Sequence, residues 1–363
     1  MKVAVGMSGG IDSSFAAYHL LEKGYEVVGL TMIGSSNKTE IGKCCSLEDI
    51  NDARVICNKL GIEHIIIDFH KEFEEKVIQP FINQYLEGKT PNPCIICNKE
   101  IKFKILMDYA LENLKTDYYA TGHYAKILKE DGKYFIAKGN DRTKDQSYFL
   151  YQISRERLPM LLFPCGDFLK SEIRDTIGLN RLINPYSKKE SYDICFVKGD
   201  DYAGFIQERA APELMKKGFF INEKNEKLFP NRGLINYTIG QRKGLGFGSG
   251  ERKYIRKFHE NGDITIGDRP YIKGLTIKSL NFFKPVSECT ETYEVKIRYK
   301  NKGVPCKIVF NPNNGNKEGN NSTDLLYLEF THPVDASSPG QSAVLYEHDY
   351  IIGGGIIDTI DFC

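Results

Sequence analysis

Lys2-Val3-Ala4-Val5-Gly6-Met7-Ser8-Gly9-Gly10-Ile11-Asp12-Ser13-Ser14 begins with an apolar run, passes through a glycine-serine loop and leads into a helical pattern. Glycines at 6, 9 and 10 let backbone approach an anion closely. The first N–H groups of the following helix point at that anion with the favourable end of the helix dipole. Ser8, Ser13 and Ser14 add short hydroxyl donors. The loop has no G-x-x-x-x-G-K-S/T lysine, which argues against a kinase-like or GTPase loop, and no G-x-G-x-x-G spacing, which argues against ordinary dinucleotide binding. A nucleotide pyrophosphate is the ligand class that remains.

Beyond the loop, strand and helix patterns alternate. Residues 12–23 predict a helix, 26–32 a strand, and Ser46 with Asp49 caps a helix that ends before Gly61. Residues 64–68 predict a strand, 71–87 and 98–114 helices, and 118–121 a strand running into Gly122-His123. This alternation predicts an α/β fold with a doubly wound parallel sheet. Such sheets bind ligands at the carboxyl ends of their strands, where the loop, Met32 and Gly122-His123 all fall. After about residue 200 the chain turns glycine-rich, basic and strand-like over 232–250, 254–258 and 264–266. Short alternating strands over 292–299, 305–310, 325–330, 342–347 and 351–359 predict a small β-barrel or sandwich, with 311–321 a flexible hairpin tip. The expected domains are residues 1–203, 204–273 and 274–363.

The chain has 363 residues and a net charge of +1, which excludes wholesale polycationic binding and leaves local basic patches for any nucleic acid. No apolar run approaches ~20 residues and no signal-peptide pattern is present, so a cytosolic protein is expected. In that compartment ten cysteines speak for thiol or metal chemistry rather than structural disulfides. Pro93-Cys94-Ile95-Ile96-Cys97 places two thiols just before a helix, a position that favours thiolate. Cys195 ends an apolar, strand-like segment, 192–196. Cys44-Cys45 has the wrong spacing for a second zinc pair, and a three-cysteine iron–sulfur cluster stays open as an arrangement. Cys57, Cys165, Cys289 and Cys306 read as small buried hydrophobes.

Six motifs then occur in order: the glycine loop; Thr90-Pro91-Asn92-Pro93 with Cys97-Asn98-Lys99-Glu100-Ile101-Lys102-Phe103; Ala120-Thr121-Gly122-His123-Tyr124; Lys144-Asp145-Gln146-Ser147-Tyr148; Asp193-Ile194-Cys195-Phe196; and Tyr237-Thr238-Ile239-Gly240-Gln241-Arg242-Lys243-Gly244. Together they resemble the bacterial tRNA-specific 2-thiouridylase family over essentially the whole length. The resemblance implies an ATP pyrophosphatase-type (adenine nucleotide alpha hydrolase-like) domain, a small central domain and a C-terminal β-barrel. It implies adenylation of the C2 oxygen of a wobble uridine by ATP with Mg2+, then replacement of that oxygen by sulfur. Adenylate is a good leaving group where uracil oxygen is not, and a persulfide is a soft nucleophile. By the same resemblance Gly6, Met7, Ser8, Gly9, Gly10, Ile11, Asp12 and Ser13 hold ATP phosphates, and Met32 and Gly122 border the adenosine. Cys195 carries the persulfide, and Cys97 releases sulfide from it or pairs with it in a transient disulfide.

Many family members have Asp at the position of Cys94, and Ser191-Tyr192-Asp193 stands where the family usually reads Ser-Gln-Asp. A thiol at 94 makes Cys94, Cys97 and Cys195 a trio suited to a 4Fe-4S cluster, with sulfide delivered on an open iron in place of the persulfide. On the RNA side, residues 241–257 carry Arg242, Lys243, Arg252, Lys253, Arg256 and Lys257 against Glu251 alone, which suits phosphate contact. The resemblance adds His123, Lys144, Asp145, Gln146, Arg298, Tyr299 and Gln341 as tRNA contacts, with Asn92, Pro93 and Cys94 meeting the target base. The implied partners are tRNA of the Lys, Glu and Gln type and a cysteine desulfurase or sulfur-relay protein. The competing readings are another adenylating ligase or amidotransferase of the same loop class and a non-catalytic RNA-binding iron–sulfur protein.

Overall fold

Val3, Ala4 and Val5 are fully buried in β1 (Lys2–Gly6), as a strand covered on both faces requires. The computed structural model describes residues 1–34, 47–182, 194–246, 252–285, 292–309 and 325–363. The Cys44-Cys45 pair, Asp193, Cys289, Glu251 and the hairpin tip 311–321 lie outside the described residues. Contacts divide the chain into two compact units: Met1–Ile78 with Pro93–Asp200 and Asp349–Ile351, and Gln79–Asn92 with Asp201–His348 and Ile352–Cys363.

In the first unit β1 leads to α1 (Ile11–Glu22), β2 (Glu26–Ile33), α2 (Leu47–Leu60), β3 (Glu63–Asp68) and α3 (His70–Phe73). A π-helical stretch, Glu74–Ile78, connects α3 to α4 (Gln79–Leu86) of the second unit, and α5 (Pro93–Ile96) runs through a second one, Cys97–Leu106, into α6 (Met107–Glu112). After β4 (Tyr118–Ala120) come β5 (Ala125–Glu130), β6 (Lys133–Lys138), β7 (Leu161–Leu162) and α7 (Lys170–Leu179). The sheet runs β3-β2-β1-β4-β7, all parallel, as expected for a doubly wound fold. Its core packs α1 residues Phe15, Ala16, Ala17 and Leu20 onto Val3, Val5 and Val27.

Two readings need correction, and one element was missed. The helix predicted over 98–114 starts at Pro93, whose fixed φ suits a first helical position, so Cys94 and Cys97 lie inside it and not before it. Ile194 to Val197 form a turn, closed by Val197 N–H on the Ile194 carbonyl at 3.0 Å, so Cys195 ends no strand. The antiparallel β5–β6 hairpin, whose Ala137 pairs with Tyr350, was not foreseen, because Asp131-Gly132 at its tip stands among charged residues without strong apolar alternation.

The second unit contains β8 (Phe219–Ile221), β9 (Lys227–Pro230), β10 (Tyr254–Phe258) and β11 (Ile264–Gly267) in a sheet ordered β10-β11-β8-β9. Then follow β12 (Tyr271–Phe282), β13 (Thr292–Lys296), β14 (Val304–Val309), β15 (Leu325–Asp335), β16 (Ser342–Glu347) and β17 (Tyr350–Phe362). They run β12-β15-β14-β13-β16-β17, and a direct β12–β17 pairing closes them into a barrel, which decides between the barrel and the sandwich that the alternation allowed. Leu275, Ile277, Val295, Leu328 and Leu345 fill its core.

Candidate active site

The glycine loop sits where β1 ends and α1 begins. Gly9 has φ +68°, and a methyl group there would lie 2.5 Å from the Asp49 carbonyl oxygen, so only glycine fits. No side chain caps α1 at Gly10; Ser13 and Ser14 hydroxyls instead donate back to the Gly10 carbonyl at 3.0 and 2.8 Å. Ser8 N–H donates to Ser13 Oγ at 3.2 Å, and the two hydroxyls lie 3.2 Å apart. These bonds curl residues 8–13 into a concave turn with serine hydroxyls and helix N–H groups together, the donor set an oxyanion needs. From β2, Thr31 Oγ1 donates to the Met7 carbonyl at 2.8 Å and also meets His64 Nε2 at 2.8 Å, which pins the loop to the sheet.

Gly122 follows β4. A methyl group on it would lie 2.6 Å from the Asp12 carbonyl carbon and 2.8 Å from Ser13 nitrogen, so glycine is what lets this strand end abut the start of α1. Met32 is buried at the end of β2. The sheet therefore brings the loop, Met32 and Gly122 to its carboxyl edge.

Cys97 is buried, Cys94 exposed and Cys195 half-buried. Burial pushes the Cys97 thiol up to about 12; Lys102 opposes this, while Cys195 and Cys94 add to it. Cys94 is pushed up to about 11, again by desolvation first and by Cys195 second. The three sulfurs and the Lys102 ammonium thus share one neighbourhood. The thiolate expected from the helix start is not what the fold produces, since desolvation outweighs the dipole. Tyr119 joins this neighbourhood to the loop: its phenol is raised by burial and then by Cys97, and a methyl group on Gly6 would sit 2.9 Å from its hydroxyl. Among the described residues no three His, Cys, Asp or Glu side chains are placed to hold a single metal ion.

His123 Nδ1 meets Thr121 Oγ1 at 2.7 Å, and its ring packs near Phe103 and Phe163 with centroids 5.6 and 5.9 Å away. Burial, then Lys102, drives its pKa well below 6.5, so it is neutral at pH 7. Asp145 is buried and accepts from Gly139 N–H, Ser147 N–H and Ser147 Oγ at 3.2, 3.2 and 2.9 Å; it shapes its own turn and presents no carboxylate outward. Gln146 Oε1 accepts from Tyr124 N–H at 3.0 Å, beside a half-buried Lys144. Cys165, taken as a plain buried hydrophobe, donates to the Asp12 carbonyl at 3.3 Å.

In the second unit Arg298 donates to the Ile239 and Ala336 carbonyls at 3.3 and 2.7 Å, next to a half-buried Tyr299. Gln341 Nε2 donates to the Thr90 carbonyl at 2.7 Å, Thr90 N–H to the Pro339 carbonyl at 2.8 Å, and Thr90 Oγ1 to Thr238 Oγ1 at 3.3 Å. This stitching fixes the segment that leads to Asn92. Arg242 and Lys243 are exposed beside Gly240, whose φ is +82°. The basic stretch is less one-sided than its sequence implies: Arg256 pairs with Glu223, and Lys253 lies 3.8 Å from Asp268.

The family described as "tRNA methyl transferase HUP domain" matches residues 1–199, and "Aminomethyltransferase beta-barrel domain" matches residues 272–357. The "tRNA-specific 2-thiouridylase MnmA" of Clostridium acetobutylicum is 41% identical, over 98% of this chain and 99% of its own. The chain belongs to the tRNA-specific 2-thiouridylase family. Proteins of the same name in Desulfitobacterium hafniense and Clostridioides difficile are 40% and 41% identical, each over at least 98% of both chains. In this 2-thiouridylase chain sequence reasoning missed three groups that act on the loop or the thiols: Lys170, Tyr119 and Lys102. Each lies on an ordinary helix or strand pattern, and only the tertiary fold turns it toward the site.

Proposed function

We propose that this protein is a tRNA 2-thiouridylase, an ATP-dependent sulfurtransferase that converts the C2 oxygen of a wobble uridine to sulfur. The observation that carries the reading is that the buried Cys97 thiol feels the charge of Cys195 and in turn acts on Tyr119, whose hydroxyl abuts Gly6 of the phosphate loop. Residues 6–13 hold the ATP phosphates, accompanied by Mg2+, and Met32 and Gly122 border the adenosine. Residues 1–203 form the catalytic domain, 204–273 a central tRNA-contacting domain and 274–363 the barrel. No helix among the described residues is long and apolar enough to cross a membrane, and we assign the protein to the cytoplasm.

Uridine O2 bonds to the α-phosphorus, pyrophosphate leaves, and the base now carries adenylate at C2. A cysteine desulfurase or a relay protein loads Cys195 as the persulfide. The Cys97 sulfur, giving up its proton, attacks the Cys195 sulfur; the bond to the outer sulfur breaks and its electron pair leaves as hydrosulfide. Hydrosulfide adds at C2 and AMP departs. The Cys97–Cys195 disulfide then needs an external thiol reductant. In the 4Fe-4S alternative Cys94, Cys97 and Cys195 would be the residues to hold the cluster, and no step is assigned to it. In the first unit Pro93 and Cys94 are assigned to the extruded base and His123, Lys144 and Gln146 to tRNA; in the second unit Asn92 is assigned to the base and Arg242, Lys243, Arg298, Tyr299 and Gln341 to tRNA contact or its support. Substrates are tRNAs of the Lys, Glu and Gln type. The test is conversion of such a tRNA with ATP and a persulfide donor: Cys97→Ser and Cys195→Ser are each expected to form no 2-thiouridine while binding ATP as the parent does. An adenylating ligase would keep its activity in both variants.

A further inference from the structure

The phosphate loop carries one charge, and its sign is wrong. Residues 6–14 include Asp12 and no lysine, arginine or histidine, yet a triphosphate is a polyanion that needs charged donors. Lys170, the first residue of α7, reaches into this loop from the far end of the first unit's sequence. Its Nζ lies 2.6 Å from Asp12 Oδ1, and its side chain is only 10% exposed.

Two electrostatic rules oppose that placement. Dehydrating an ammonium costs several kcal/mol, and a cation at a helix N-terminus meets the unfavourable end of the dipole. Its own helix does not draw it there. The backbone N–H groups at the start of α7 are served by others: Glu172 accepts from Leu169 N–H at 2.7 Å and Asp141 from Lys170 N–H at 3.0 Å. Asp12 also needs no lysine for want of a donor, because the Tyr124 hydroxyl donates to the same Oδ1 at 2.6 Å. A buried ion pair kept for stability alone is usually replaceable by apolar packing. Local rules broken at one point beside a ligand loop mark a functional site.

We propose that Lys170 is the ammonium that completes the phosphate site, paired with Asp12 in the free protein and shared with the β- and γ-phosphates once ATP is bound. The inference rests on the reading of residues 6–13 as the ATP loop. As uridine O2 bonds to the α-phosphorus, the bond from that phosphorus to the bridging oxygen breaks and its electron pair leaves on pyrophosphate. The Lys170 ammonium faces that charge, and its proton stays on nitrogen. AMP lacks the two outer phosphates and gains nothing from Lys170.

The test is calorimetric titration of the full-length chain with ATP plus Mg2+ and, separately, with AMP. Lys170→Met is expected to bind ATP about tenfold or more weakly and AMP within about twofold of the parent, with Lys170→Arg recovering most of the ATP affinity. Lys170→Gln keeps a donor to Asp12 without the charge; it is expected to show the same selective loss and serves if K170M fails to fold. Unchanged ATP affinity overturns the inference. So does an equal loss for ATP and AMP, which would make Lys170 a brace for the loop and nothing more. A parent chain that binds neither nucleotide would remove the ATP loop itself, a result separable from both.

Discussion

A thiol near the start of a helix gains about 0.3–1 kcal/mol from the helix dipole, and about 2 kcal/mol where it is partly buried. Full burial of Cys97 moves its pKa from 9.0 to about 12, a preference for the neutral form of roughly 4 kcal/mol, so desolvation decides its state. In the free protein Cys97 is a protonated thiol, protected from stray alkylation and oxidation, with Lys102 the cation that works against burial. With Cys94 replaced by Ala, iodoacetamide labelling of Cys97 is expected to rise about tenfold per pH unit from 7 to beyond 10. A plateau by pH 8 would contradict the burial argument. The same shift carries a stability sign. Between about pH 9 and 12 the folded chain holds a proton that the unfolded chain has lost, so Cys97 and Cys94 make stability fall as pH rises through that window. Denaturant midpoints across it check this; Cys97→Ala is expected to flatten the fall. The spacing of Cys94 and Cys97 was plain in the sequence, while Cys195, about a hundred residues later, was joined to them only by the family resemblance and not by any local pattern.

The strand-loop-helix element at the amino end was legible in full, since Val3, Val5 and the glycine-serine run obey local rules. What local rules do not supply is the fit between elements. Gly122→Ala puts a methyl group 2.6 Å from the Asp12 carbonyl carbon, against backbone that has nowhere to go. It is expected to weaken ATP binding at least tenfold with the fold retained, as read by titration and thermal melting. Thr31→Val removes the buried hydroxyl that holds the Met7 carbonyl and is expected to cost about 1–2 kcal/mol of stability and raise the KM for ATP. The π-helical stretches Glu74–Ile78 and Cys97–Leu106 had no signal in the pattern, because their side-chain spacing there passes for an α-helix.

For the whole molecule, the alternation of strands and helices gave the parallel sheet, and the short even strands gave a barrel or a sandwich. The β12–β17 closure was beyond reach, because it depends on which strand ends meet and not on any one strand's composition. Charge on the second unit was half legible: Arg242 and Lys243 are exposed, while Arg256 and Lys253 have carboxylate neighbours. Replacing Arg242 and Lys243 together by Ala is expected to weaken tRNA binding and lower its salt slope by about 1.5–2, with ATP affinity unchanged. An unchanged slope would remove both from the RNA surface. Gln341→Ala, which frees the Thr90 carbonyl, is expected to slow sulfur transfer about tenfold with ATP binding intact, a loss seen in kcat/KM for tRNA.

Central to the account is that Cys195 supplies the sulfur that an ATP-activated uridine receives at the phosphate loop. Single-turnover reactions of the parent and Cys195→Ser, with tRNA, ATP and a persulfide donor, measure AMP and 2-thiouridine together. The parent is expected to release one AMP for each 2-thiouridine formed, and Cys195→Ser to form no 2-thiouridine while it still makes pyrophosphate in the presence of tRNA. Formation of 2-thiouridine by Cys195→Ser at the parent's rate would contradict the account.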